Sequence, residues 1–112
     1  MGLHCFDIPI YCNYNKCMKI EFDPAKNEKN IRERGISFQS AAGFDFETAF
    51  ILEDDRHDYS EIRYQAIGYI NDRLHVLVFT PRGSAMRVIS LRKANQREVK
   101  RYERYRAKKD RS

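Results

Sequence analysis

The sequence predicts an α+β domain in which two N-terminal helices and a C-terminal helix pack on a mostly antiparallel meander sheet. Between residues 62 and 92 three β-patterned runs follow one another with only short turn signals between them, the mark of antiparallel neighbours rather than of a doubly wound sheet. Helix-start signals stand before these runs, at Asp23-Pro24 and Ser37, and after them, at Asn95. A chain of 112 residues, 42% apolar and 12% aromatic, can fill one core but not two.

Residues 19–22 alternate polar and apolar side chains and form a short strand. Asp23 is a preferred N-cap because its carboxylate accepts backbone N–H bonds, and Pro24 suits the first helical position, where an N–H would go unsatisfied. The helix should run to Arg34 and end at Gly35, a residue at ease in the left-handed conformation. Its apolar face is thin, mainly Ala25 and Ile31, while Lys26, Asn30 and Arg34 stand four apart and share a polar face. Ser37 caps a second helix that turns Phe38, Ala41 and Ala42 inward, with Phe46 and Ala49 following.

A loop over residues 53–61 holds five acids together with Arg56 and His57. Residues 62–70 alternate as a strand, Asn71-Asp72 marks a hairpin turn, and residues 74–80 form the almost wholly apolar run of a central strand, which Pro81 should end. Simple alternation along residues 85–92 places Met86, Val88, Ser90 and Arg92 on one face, and Arg87, Ile89 and Leu91 on the other. Asn95 and Glu98 have capping-box spacing at the start of the last helix, whose apolar stripe is Val99, Tyr102 and Tyr105.

The net charge of +5 is unevenly spread. Residues 92–112 hold ten basic side chains against three acidic ones, which puts that stretch at +7 and the rest of the chain at −2. A local field of this kind faces a polyanion, with nucleic acid the leading candidate, while residues 107–112 read as a solvated basic tail. No run approaches the roughly 18 apolar residues of a membrane helix, and seven Phe with seven Tyr exclude a disordered chain. Cys5, Cys12 and Cys17 match neither a zinc module nor a redox pair, so they read as free thiols in a reducing cytoplasm. Residues 1–17 carry no secretory pattern and read as an extension without a role in the chemistry, ahead of a single domain over 18–106.

Arg63, Arg82, Arg87 and Arg92 lie on or between neighbouring strands, so their side chains can converge on one patch. Guanidinium forks match phosphate oxygens, and several together would bind and polarise a phosphodiester. The blander alternative is that they neutralise the acids of the 53–61 loop. His75 alternates with apolar residues and reads as a core or interface histidine, and His57 as a surface one. A metal site from Glu53, Asp54, Asp55, His57 and Asp58 is disfavoured, because charged loop runs are usually solvated.

The runs EFDPAKNEKNIRERGISF, GY at 68–69, VLVFTPRG, RVISLRKA and QREVKRY occur in an order and spacing that resemble the BrnT family of toxins from bacterial type II toxin–antitoxin modules, within the RelE/ParE-like superfamily. The resemblance implies a RelE-like fold, metal-independent endoribonuclease activity with no cofactor, and growth inhibition through RNA cleavage. It further implies neutralisation by a BrnA-type ribbon-helix-helix antitoxin, with operator DNA bound only through the complex and no membrane partner. The family's characteristic polar positions fall on Asp23, Lys26, Asn30, Arg63, Thr80, Arg82, Gly83, Ser90, Arg92, Glu98 and Tyr102, while Glu33 and Arg34 replace its usual Lys and His. Of these, Asp23, Asn30, Gly83 and Tyr102 have structural explanations as cap, helix-face bond, turn and packing. Lys26, Arg63, Arg82, Arg92 and Glu98 are the candidate catalytic residues, with Lys26, Glu98 or His57 as the base. Arg34, Arg87, Arg97, Lys100 and Arg101 are the candidate RNA contacts. Two other readings stay open: a nucleic-acid-binding module without catalysis, and a ParE-like toxin acting on gyrase.

Overall fold

The computed structural model describes residues 19–54 and 61–111, so residues 1–18, with all three cysteines, residues 55–60, with His57, and residue 112 lie outside the described residues. In chain order the elements are β1 (Lys19–Glu21), α1 (Pro24–Arg34), a 3₁₀ helix (Phe38–Gly43), β2 (Phe50–Glu53), β3 (Tyr64–Ile70), β4 (Arg73–Arg82), β5 (Ala85–Lys93) and α2 (Gln96–Arg111). The strands form one mixed sheet in the order β1-β5-β4-β3-β2. Only the β1–β5 pair is parallel. Among the described residues no helix is long and apolar enough to cross a membrane.

Helix α1 starts and stops where local chemistry dictates. Asp23 accepts the Ala25 N–H at 2.9 Å, Pro24 occupies the first turn, and Gly35 closes the helix at φ 70°, a left-handed conformation open to glycine. Its inward face differs from the expected one. Ile31 is exposed, and the buried residue is Asn30, whose Nδ2 donates to the carbonyls of Ile36 (2.9 Å) and Leu91 (2.8 Å). With so thin an apolar face, the helix is held to β5 through a satisfied buried amide.

Ser37 caps as expected, its hydroxyl accepting the Gln39 N–H at 3.1 Å. The helix it starts is not of ordinary length but a six-residue 3₁₀ helix, which buries Phe38 and Ala41 and leaves Ala42 exposed. The three-strand meander is real but forms only the centre of a five-strand sheet, since β1 and β2 flank it. Nor does Pro81 end its strand. β4 continues to Arg82, and Pro81 lies opposite Met86. Pairing with β3 stops at Tyr64–Phe79, so the chain at Pro81 is paired on one side only and a missing N–H is tolerated.

The register between β4 and β5 contains the most consequential departure. It steps from Val78–Ser90 to Phe79–Val88, making Ile89 the extra residue of a β-bulge. The bulge resets the alternation of side chains. Met86, Val88 and Leu91 therefore all enter one apolar layer, although strict alternation sets Leu91 apart from the other two. That layer, with Phe38, Phe44, Phe46, Leu77 and Phe79, fills one side of the sheet. Gly68 is part of its fit, because a Cβ there would meet the Phe44 ring at 2.7 Å. On the other side Tyr102 of α2, and Ala94 just before the helix, pack against Phe50, Ile67, Leu74 and Val76. The Tyr102 hydroxyl donates to the Thr48 carbonyl at 3.1 Å, and burial pushes its pKa up, so it stays a neutral donor.

Candidate functional site

Partners across a ladder share a face, so the arginines can be placed from register alone. Arg92 lies opposite Val76 and Arg87 opposite Thr80, and positions 76, 78, 80 and 82 alternate onto one face of β4. Both arginines thus belong to the α2 side of the sheet, together with Arg82. Without the extra residue at Ile89 they would point to opposite sides, as strict alternation requires. The bulge therefore gathers the cluster.

Arg63 joins the group from the segment entering β3. One residue beyond the Tyr64–Phe79 pair it comes level with Thr80, whose buried hydroxyl donates to the Ile62 carbonyl at 2.6 Å and ties the two strands together. Glu61 stands between two of the arginines. Its Oε2 lies 3.6 Å from Arg63 Nε, and its Oε1 lies 3.6 Å from Arg82 Nη2. The Arg82 side chain is 52% exposed against 25% for Arg63, so Arg82 is the arginine more open to a ligand. Among the described residues Arg87 has no carboxylate partner.

Glu98 is engaged in contacts with Arg92 and with the start of α2. Arg92 Nη1 donates to Glu98 Oε1 at 2.7 Å and Arg92 Nη2 to Oε2 at 2.6 Å, a two-pronged charge-assisted pair. Glu98 also completes the capping box, accepting the Asn95 N–H at 2.9 Å while its own N–H donates to Asn95 Oδ1. The bond to Arg92 holds the Glu98 carboxyl below its ordinary range, with the Asn95 N–H and the nearby charge of Arg101 adding to the effect. A carboxylate this committed is a weak base. It fixes Arg92 and anchors the start of α2.

Lys26 and Arg34 stand apart from these arginines. They line an open groove of about 230 Å³ with Lys29, Glu33 and Ser90, a groove that none of the four strand arginines lines. Arg34 Nη1 is held by Asn30 Oδ1 at 3.2 Å and Ser90 Oγ at 3.3 Å. Arg97, Lys100 and Arg101 are exposed on α2. Arg101 lies 5.4 Å above the Phe50 ring, which stacks on Tyr105 at 4.4 Å, and Lys109 caps that stack at 6.0 Å. Two cations of α2 thus bracket a pair of stacked rings, Phe50 from β2 and Tyr105 from α2.

A model of the ribonuclease toxin BrnT of type II toxin–antitoxin systems matches residues 22–98, more than half of the chain. The chain belongs to the BrnT family. As a member it is a ribonuclease toxin, and a type II toxin implies an antitoxin partner. Comparison with curated proteins and with solved structures returned no match. Glu61 and all four strand arginines lie inside the BrnT match, whereas the part of α2 after Glu98, with Lys100 and Arg101, lies beyond it. Glu61 is the residue of this cluster that was not among the expected site residues. Its spacing of two from Arg63 was visible in a strand-like segment, but its approach to Arg82 follows only from the β3–β4 register.

Proposed function

We propose that this toxin is a metal-independent endoribonuclease that cleaves by attack of a ribose 2′-hydroxyl on the adjacent phosphorus, with Glu61, Arg63, Arg82 and Arg87 around the reacting phosphate. The observation that carries the reading is the carboxylate of Glu61 between two guanidinium groups on the face shared with Arg87. Fixed guanidinium groups offer, without a metal, the positive charge that a developing dianionic phosphorane needs. Glu61 takes the proton of the 2′-hydroxyl as the new O2′–P bond forms. The P–O5′ bond then breaks, leaving a 2′,3′-cyclic phosphate on one fragment and a 5′-hydroxyl, protonated from solvent, on the other.

Arg92, held by Glu98, shapes the edge of the patch, while Arg97, Lys100 and Arg101 hold flanking phosphates by charge. Lys26 and Arg34 contact the same RNA from the α1 groove rather than at the scissile bond. A BrnA-type ribbon-helix-helix antitoxin neutralises the toxin by covering the arginine patch, and operator DNA is reached only through that complex. The test is cleavage of a defined RNA in excess EDTA with the ends mapped, alongside binding of a 2′-deoxy version of the same RNA. Cyclic phosphate ends from wild type, with cleavage lost but binding kept in Glu61→Gln, are the expected result. Intact RNA that is nevertheless bound tightly would favour the reading in which Glu61 merely neutralises the arginines of a binding module.

A further inference from the structure

On the side of the sheet away from the arginine patch, an open cavity of about 380 Å³ lies at the end of α1. Its size falls in the ~300–1,000 Å³ range of small-molecule sites. Three basic side chains meet there. His75 lies opposite Lys93 across the β4–β5 ladder, and Arg73 is two residues before His75 on the same face of β4. Ile36 and Ile70, both packed against the apolar layer, supply a hydrophobic wall, and Asp72 adds a carboxylate from the hairpin turn.

The histidine is informative because of how it is held. His75 is only 7% exposed, and its Nδ1 lies 2.9 Å from the Arg73 carbonyl, which can only accept. Nδ1 therefore carries a hydrogen, and in the neutral ring Nε2 is the acceptor, on a side chain that lines the cavity. The cavity thus combines two exposed cations, two acceptors and an apolar wall. A bare phosphate would use the cations alone and meet repulsion from Asp72. A nucleotide uses every group: phosphate on Arg73 and Lys93, hydroxyl or amino donors on Asp72 and Nε2, and a base face on Ile36 and Ile70.

We propose that this cavity binds one phosphate-bearing nucleotide, a subsite for RNA on the opposite side of the sheet from the arginine patch. The α1 groove leads to it, since Arg34 on the groove directly precedes Gly35, and Gly35 and Ile36 line the cavity. Taking RNA as the source of the nucleotide rests on the ribonuclease reading above. The binding chemistry does not.

The experiment is a titration of the full chain with adenosine 5′-monophosphate, inorganic phosphate and adenosine, followed by the ring resonances of His75 and the methyl resonances of Ile36 and Ile70. Saturable shifts at all three residues with the monophosphate are expected, with phosphate and adenosine about tenfold weaker. The Arg73→Gln/Lys93→Gln variant, changed only at exposed positions, should keep the ligand-free spectrum and lose about tenfold in affinity for the monophosphate. No saturable shift at His75 up to about 10 mM, equal affinity for phosphate and the monophosphate, or equal affinity in the double variant would each overturn the site. Because the titration involves no cleavage, a protein that cuts RNA without moving His75 loses this site alone. One that moves His75 without cutting RNA loses the ribonuclease reading, and with it RNA as the source of the nucleotide, but keeps the nucleotide site.

Discussion

The arginines of the central strands and the cations of α2 carry the same charge and are held in opposite ways. Arg63, Arg82 and Arg92 are each set against a carboxylate, Glu61 or Glu98, before any ligand arrives. Arg101 and Lys109 are set instead against the faces of Phe50 and Tyr105, while Arg97 and Lys100 are exposed. Fixed cations beside a carboxylate suit a charge that develops at one point, because they need not reorganise as it forms. Exposed cations on a helix suit a polyanion whose phosphates are many and interchangeable. Charge count alone would rank α2 above the strands. On the proposed reading the chemistry belongs to the strands and the grip to the helix.

The sharpest way to break this contrast is Glu61→Gln, which keeps shape and removes the proton acceptor. A loss of about 10²–10⁴ in kcat with RNA affinity retained or raised is expected. Next comes Arg82→Ala, with a loss of about 10²–10³ in single-turnover rate at saturating protein, and a circular dichroism spectrum like that of wild type. An unchanged rate would remove Arg82 from the reaction.

Glu98→Gln should act first on stability, by roughly 1–2 kcal/mol and a drop of several degrees in Tm, since charged hydrogen bonds are lost at a partly exposed site. The sign of its pH dependence follows from the lowered Glu98 pKa. The stabilisation is complete above the ordinary carboxylate range and is lost as pH falls through the lowered value. The gap in Tm between wild type and Glu98→Gln should therefore be open at neutral pH and narrow as the pH falls below the ordinary carboxylate range. The smallest effect belongs to α2: Lys100→Gln should lower the slope of log affinity against log salt by about 0.7, one phosphate contact on a single strand.

Much of this architecture was legible in the sequence wherever the cause is local. Asp23, Pro24 and Gly35 bound α1, Asn95 and Glu98 start α2, and the β3–β5 meander follows from alternation and turn residues. What escaped depends on contacts distant along the chain. Phe50–Glu53 is too short for a clear period and becomes β2 only by pairing with β3. The polar inward face of α1 requires the Leu91 carbonyl to be waiting for Asn30. At the site, the four arginines could be picked out as a group, but alternation put Arg87 and Arg92 on opposite faces. No residue type announces a bulge at Ile89, and it exists in the register of two strands. The approach of Glu61 to Arg82 was hidden in the same way, at the end of a loop rich in acids.

The central claim is that the strand cluster cuts RNA and α2 only holds it. The measurement that tests it most directly is single-turnover cleavage of one defined RNA in EDTA, as a function of protein concentration, for wild type, Arg82→Ala and Lys100→Gln/Arg101→Gln. The account expects Arg82→Ala to remain slow at saturation, and the α2 variant to need more protein but reach the wild-type rate. A plateau lowered in the α2 variant and intact in Arg82→Ala would contradict it.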